Sequence, residues 1–91
     1  INWIIPNAQK NKMEPVLIQL QKNGKSSIYS AHEGEVFGYV LKGNINVNIG
    51  EQKFNAVEGE SFYYKANSSY YLDNNSDVEA TVLWVSTPPN F

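Results

Sequence analysis

The chain of 91 residues contains no cysteine. This absence excludes disulfide bridges, thiolate nucleophiles and cysteine-based zinc sites, and it leads us to expect a reducing, cytoplasmic location. Basic residues are also scarce, since seven Lys and Arg stand against nine Asp and Glu, for a net charge of −2. Because a run of phosphates is neutralised by a basic stripe, we predict that this chain makes no nucleic-acid contact itself.

Long apolar runs and helical periodicity are missing as well. A membrane helix needs about 20 consecutive apolar residues, and no run approaches that length, so we expect no membrane association. The opening stretch INWIIPNAQKNK is too short and too polar for a signal peptide and lacks an initiator Met. We therefore expect residues 1–12 to be an arm or linker from a longer protein, and residues 13–91 to form a single domain.

Short β-type runs recur along the chain, separated by turn residues. They cover residues 15–20, 26–31, 36–42, 44–49, 52–57, 61–65, 69–73 and 78–86. The clearest is INVNI, in which three apolar residues alternate with Asn46 and Asn48, as in a strand with one wet face. Gly50-Glu51 after it suits a two-residue hairpin turn. About eight short antiparallel strands in so small a chain predict an all-β sandwich or jelly roll.

The only histidine, His32, lies between two of these runs. On a regular strand Ser30 and His32 point to the same face, and Val36 continues that parity on the next strand. We therefore expect Ser30, His32 and Val36 to converge at one end of the barrel, with Tyr70 approaching from a later strand. Glu35 has the opposite parity. We expect it in solvent unless a bulge turns it inward.

The residues around His32 also carry a family resemblance. The first cupin motif reads G-x5-H-x-H-x3-E-x6-G, and its frame is matched by Gly24, Ser30, His32, Val36 and Gly43. The second reads G-x5-P-x-G-x2-H-x3-N, and its positions are held by Gly59, Lys65, Asn67, Tyr70 and Asn74. The chain resembles a cupin, and specifically the C-terminal cupin domain of XRE-type helix-turn-helix transcriptional regulators. The resemblance implies a double-stranded β-helix, or jelly-roll barrel.

The same resemblance identifies where cupins place a metal ion. The four ligand positions are Ser30, His32, Val36 and Tyr70 in this sequence, so only the histidine is retained. A d-block ion needs about three N, O or S side chains, and valine supplies none. We therefore expect no metal, no other cofactor and no catalytic residue.

The remaining polar and aromatic residues suggest a pocket instead. We predict a ligand pocket lined by Ser30, His32, Val36, Tyr64, Tyr70 and Trp84. An alternative for His32 is a pocket-wall residue that is hydrogen-bonded to Ser30 or Tyr70. Phe37 and Tyr39 have the outward parity and are expected to cover the outside or meet a partner subunit.

Three functions are compatible with these residues. The resemblance favours a regulatory domain that binds a small-molecule effector, forms a homodimer and acts on DNA through an N-terminal helix-turn-helix domain missing here. A purely structural dimerisation module with a collapsed interior is the first alternative. A small metal-dependent enzyme, such as a dioxygenase or isomerase, is the second, and it would require three or more ligands.

Overall fold

The computed structural model describes residues 2–3 and 13–87, and these form β-strands joined by turns. The strands are β1 (Asn2–Trp3), β2 (Glu14–Leu20), β3 (Glu35–Lys42), β4 (Asn44–Ile49), β5 (Gln52–Val57), β6 (Ser61–Lys65), β7 (Tyr70–Asp73) and β8 (Ala80–Thr87). The described ranges contain no helix that could cross a membrane.

The strands form two antiparallel sheets. The larger has five strands in the order β1-β2-β8-β3-β6, and the smaller has three in the order β5-β4-β7. Both sheets contribute to one buried apolar core, including Val40 and Val82 from the larger sheet and Val47 and Leu72 from the smaller. This architecture confirms the predicted all-β jelly roll.

Alternating burial along the strands of the larger sheet distinguishes its inward face from its outward face. Along β3, Val36, Gly38 and Val40 are buried, whereas the residues between them are more exposed. Phe37 and Tyr39 thus face outward, as their parity predicts. Along β8 every second side chain, from Ala80 to Ser86, is buried.

The smaller sheet departs from the predicted wet face on β4. Asn48 is buried although it points away from the core, because its amide donates a 2.7 Å hydrogen bond to the Asp73 carboxylate. Asn46 donates to the other carboxylate oxygen at 2.8 Å, and Lys53 lies 3.7 Å from Asp73. The outer face of this sheet is therefore organised around one carboxylate with three polar partners.

Two glycines have structural roles that favour glycine. Gly50 has a φ of 56° in the turn that joins β4 to β5, as predicted for a two-residue hairpin. Gly38 lies under the ring of Phe62, and a Cβ atom placed there would be 2.0 Å from the ring carbon Cζ. The missing side chain on β3 thus makes room for an aromatic ring from β6.

One predicted strand is wrong. Residues 26–31 form no strand, and the segment Lys25–Gly34 meets β7 through isolated bridges at Lys25 and Tyr29. The backbone amides of Ser26, Tyr29 and His32 donate to Leu72, Tyr70 and Ala66, respectively. These donors are three residues apart, whereas a regular ladder repeats every two residues. The segment therefore cannot keep the side-chain alternation assumed for it.

The predicted arm over residues 1–12 lies outside the described residues except for Asn2–Trp3. That short strand pairs with Val16 and Leu17 of β2.

Candidate functional site in the barrel interior

The segment Lys25–Gly34 brings His32 to the barrel interior. The His32 amide donates to the Ala66 carbonyl at 2.7 Å, and the Ala66 amide donates to the Gly34 carbonyl at 3.0 Å. These two bonds hold the backbone on both sides of the imidazole beside the end of β6. The His32 Nε2 atom then lies 2.8 Å from the Tyr70 hydroxyl oxygen, in a hydrogen bond between β7 and the segment.

Tyr70 stands at the centre of an aromatic cluster. Its ring centroid is 5.3 Å from that of Tyr29, 5.4 Å from Tyr64, 5.8 Å from Trp84 and 5.8 Å from His32. Phe62 joins the cluster at 6.3 Å from Tyr64 and 6.4 Å from Trp84. We refer to Tyr29, His32, Phe62, Tyr64, Tyr70 and Trp84 as the aromatic cluster. Ring pairs at these distances attract each other beyond the area that they bury.

Three polar atoms of this cluster lack a partner. Within the part of the chain that the structure describes, His32 Nδ1, Tyr64 Oη and Trp84 Nε1 are buried and make no hydrogen bond. Each exposes less than 1 Å² to solvent, so no water-sized space adjoins it in this conformation. A buried polar group without a partner costs about 1–3 kcal/mol. These are the only such side-chain atoms among the described residues, and all three belong to one cluster.

The interior disfavours negative charge. Burial raises the pKa of Tyr64 well above its usual value of 10.0, and Tyr70 and Tyr29 raise it further. Burial likewise raises the pKa of Tyr29, with a smaller contribution from Tyr70. Tyr29 and Tyr64 are therefore neutral hydrogen-bonding groups in a region of low dielectric constant.

The four metal positions of the cupin motif do not form a metal centre. Val36 is fully buried and has no ligand atom, whereas Ser30 is exposed on the Lys25–Gly34 segment. His32 and Tyr70 are hydrogen-bonded to each other. Across the described ranges 2–3 and 13–87, no three His, Cys, Asp or Glu side chains come together. The donor set does not suit a d-block ion.

Glu35 does not replace the missing ligand. It lies on the outward face of β3, where its carboxylate accepts a hydrogen bond from the Tyr63 hydroxyl. The alternative in which a bulge turns Glu35 inward is therefore wrong.

The structure brings most of the predicted pocket residues close together. His32, Tyr64, Tyr70 and Trp84 are in the aromatic cluster, and Val36 pairs with Tyr64 across β3 and β6. Ser30 is exposed and belongs to the segment that covers this side of the barrel.

Sequence reasoning did not include Tyr29 and Phe62. Phe62 shares the inward parity of Tyr64 in the run SFYYK, so strand alternation was sufficient to find it. Tyr29 has the wrong parity for an inward residue on a regular strand. It enters the cluster because residues 26–31 are not a regular strand.

The comparisons with known proteins agree with this geometry. The cupin domain profile matches residues 16–86, and the chain belongs to the cupin domain family. No curated protein matches the chain.

Among solved structures, the chain is similar to the cupin domain of an XRE family transcriptional regulator from Enterobacter cloacae. The TM-score is 0.83 at 14% identity, with 98% of this chain and 95% of that one covered. It is also similar to an HTH_3 family transcriptional regulator from Vibrio cholerae, with a TM-score of 0.81 at 19% identity. That match covers 97% of this chain and 49% of the regulator, so the chain spans about half its length.

An enzyme shares the same fold. A sugar phosphate isomerase of the cupin superfamily from Silicibacter pomeroyi matches with a TM-score of 0.73 at 23% identity, over 87% of this chain and 52% of that one. At such identities these likenesses show the fold, and function has to be argued from the site.

Proposed function

We propose that this chain is the regulatory cupin domain of an XRE-type transcriptional regulator. In this proposal it binds a small organic effector in the barrel interior, self-associates, and acts on DNA through a helix-turn-helix domain that precedes it in a cytoplasmic protein. The domain is a sensor without catalytic residues. The cupin fold and the regulators among its structural neighbours support this class.

The observation that carries the proposal is the set of unpaired atoms on His32, Tyr64 and Trp84. Buried polar groups are nearly always hydrogen-bonded, and three exceptions in one cluster require an explanation. An effector with hydrogen-bonding groups would satisfy them. The indole N–H of Trp84 can only donate, so that effector must offer an acceptor.

In this proposal the effector reaches the barrel interior by way of the Lys25–Gly34 segment. The side chains of Ser27, Ile28, Ser30 and Ala31 are exposed, and three backbone hydrogen bonds connect the segment to β7. Segments with few buried contacts open at low free-energy cost. We infer that an effector enters when this segment moves, and that it shifts the population between two domain arrangements.

The second candidate function, a purely structural dimerisation module, is supported by a different observation. Tyr70 and Trp84 are almost fully buried, and their stacked rings fill the interior. A structural dimerisation module with a permanently closed core would look the same.

A ligand screen separates the two candidates. Thermal unfolding of the purified chain would be measured against a library of amino acids, polyamines, sugars and small acids. The best stabilising compound would then be titrated calorimetrically into wild type, Tyr64→Phe and Tyr63→Phe. Tyr63 is the matched control because it neighbours Tyr64 but points outward and is exposed.

We expect Tyr64→Phe to weaken binding about three- to tenfold, the value of one hydrogen bond, and Tyr63→Phe to leave it unchanged. A compound that binds both variants like wild type would place the site elsewhere. No stabilising compound at all would favour the closed structural module.

A further inference from the structure

Among the described residues, no buried charged side chain faces the barrel interior. Asp73 is the one charged residue of these ranges that is buried, and its carboxylate accepts hydrogen bonds from Asn46 and Asn48 on the outer face of the smaller sheet. The other buried residues there are apolar or neutral. The interior thus combines three polar atoms that lack a partner with no counter-ion for a bound charge.

This lining disfavours an anionic effector. A buried ion without a partner costs far more free energy than a buried neutral polar group. The tyrosines already show the effect, because burial raises the pKa of Tyr29 and Tyr64 and so opposes their anionic forms. A carboxylate brought into the cluster would meet the same low dielectric constant, and its charge would stay unbalanced.

A cationic effector is disfavoured for a different reason. Aromatic rings attract cations through their faces. In this cluster Tyr70 stacks with Tyr29 at an interplanar angle of 28° and with Trp84 at 23°. Phe62 and Tyr64 stack at 8°. The ring faces that would attract an ammonium group are therefore turned toward neighbouring rings, and no buried carboxylate balances its charge.

The three unpaired atoms define the hydrogen bonds that an effector has to make. The Trp84 indole N–H can only donate, whereas the Tyr64 hydroxyl donates or accepts. His32 Nδ1 takes either role, depending on which tautomer bonds to Tyr70 through Nε2. The effector must therefore offer at least one acceptor. A molecule with many hydroxyl groups, such as a sugar, would leave several of them buried without a partner, which is costly.

We propose that the effector is a small uncharged organic molecule with one or two acceptor oxygens of the carbonyl type, such as an amide, a lactone or a ketone. This inference rests on the proposed function and names the chemical class that the site takes. It sets polyamines, small acids and sugars apart from the compounds that enter the interior.

Two-dimensional ¹H–¹⁵N NMR of the whole chain tests this inference at the indole N–H itself. The chain has two tryptophans, so Trp3→Phe assigns both indole signals, and the Trp3 signal serves as the internal control. The probes are a fragment library in which each scaffold is present as primary amide, carboxylate and amine; benzamide, benzoate and benzylamine form one such set. Titrations at about pH 6 and about pH 8 bracket the pKa of a free imidazole, while the amines stay charged at both.

We expect amides to shift the Trp84 indole signal downfield and to bind at least about tenfold more tightly than the carboxylate and the amine of the same scaffold. If carboxylates or amines bind as tightly as the amides at either pH, with the same shift, the effector class is wrong although effector binding stands. If no fragment of any class moves the Trp84 signal, the effector class and the binding site in the barrel interior both fail.

Discussion

Removing the Tyr64 hydroxyl should stabilise the protein, which is unusual for a change at a buried residue. Tyr64 is 8% exposed, and its hydroxyl oxygen is buried with no hydrogen-bond partner among the described residues. In the folded state this hydroxyl has lost its hydrogen bonds to water and gained none. Tyr64→Phe removes that penalty and keeps the ring that contacts Tyr70 and Phe62.

The expected gain is about 1 kcal/mol in the free energy of unfolding, the lower end of the penalty for an unsatisfied buried group. In a domain of this size, 1 kcal/mol raises the melting temperature by about 4–8 °C. Tyr63→Phe is the control, because it removes an exposed hydroxyl that donates to Glu35. That change should leave the urea midpoint almost unchanged, because this hydroxyl is exposed to solvent in the folded and in the unfolded chain.

Urea unfolding followed by circular dichroism gives both values. A gain in Tyr64→Phe together with weaker effector binding would show that the hydroxyl serves a ligand at the expense of stability. A loss of 1 kcal/mol or more in Tyr64→Phe would refute the reasoning, because it would mean that the hydroxyl has a partner in the free protein.

Three further perturbations test other parts of the account. Gly38→Ala should lower the free energy of unfolding by about 2 kcal/mol or more, because the added methyl group clashes with the Phe62 ring. Phe62→Leu in the same chain should recover part of this loss. If the losses of the two single variants simply add in the double variant, the contact between the two residues is contradicted. His32→Ala should lower the free energy of unfolding by only about 1 kcal/mol, the value of the hydrogen bond to Tyr70. A loss above about 2 kcal/mol in urea unfolding would instead identify His32 as a core residue. The raised pKa values of Tyr29 and Tyr64 contribute stability that is complete below pH 10 and is lost as pH rises above it, because only the unfolded chain ionises readily there. The urea midpoint should therefore fall between pH 9 and pH 11, and less so in Tyr64→Phe; equal midpoints would be evidence against the burial of these hydroxyls.

Strand alternation predicted most of the fold from local sequence. The inward parity of Val36 and the outward parity of Phe37 and Glu35 follow from a period of two, which any regular strand imposes. The turn at Gly50 was predictable for a similar reason, because a two-residue hairpin favours a residue with positive φ.

The interior could be predicted only in part. Tyr64, Tyr70 and Trp84 were expected in a pocket from their type and position, and the structure brings them into one cluster. Tyr29 could not be found, because its direction depends on hydrogen bonds to β7 that are far away in sequence. The same is true of Asn48, whose burial depends on the Asp73 carboxylate from another strand.

The central claim is that this cupin barrel has lost the metal centre and retains a metal-free aromatic interior for an organic effector. Metal content measures it most directly, on tag-free protein incubated with manganese, iron, nickel and zinc and then desalted. The account predicts well under one equivalent of any metal per chain by mass spectrometry. About one equivalent, lost on His32→Ala, would contradict it, since the imidazole would then be a ligand rather than the partner of Tyr70.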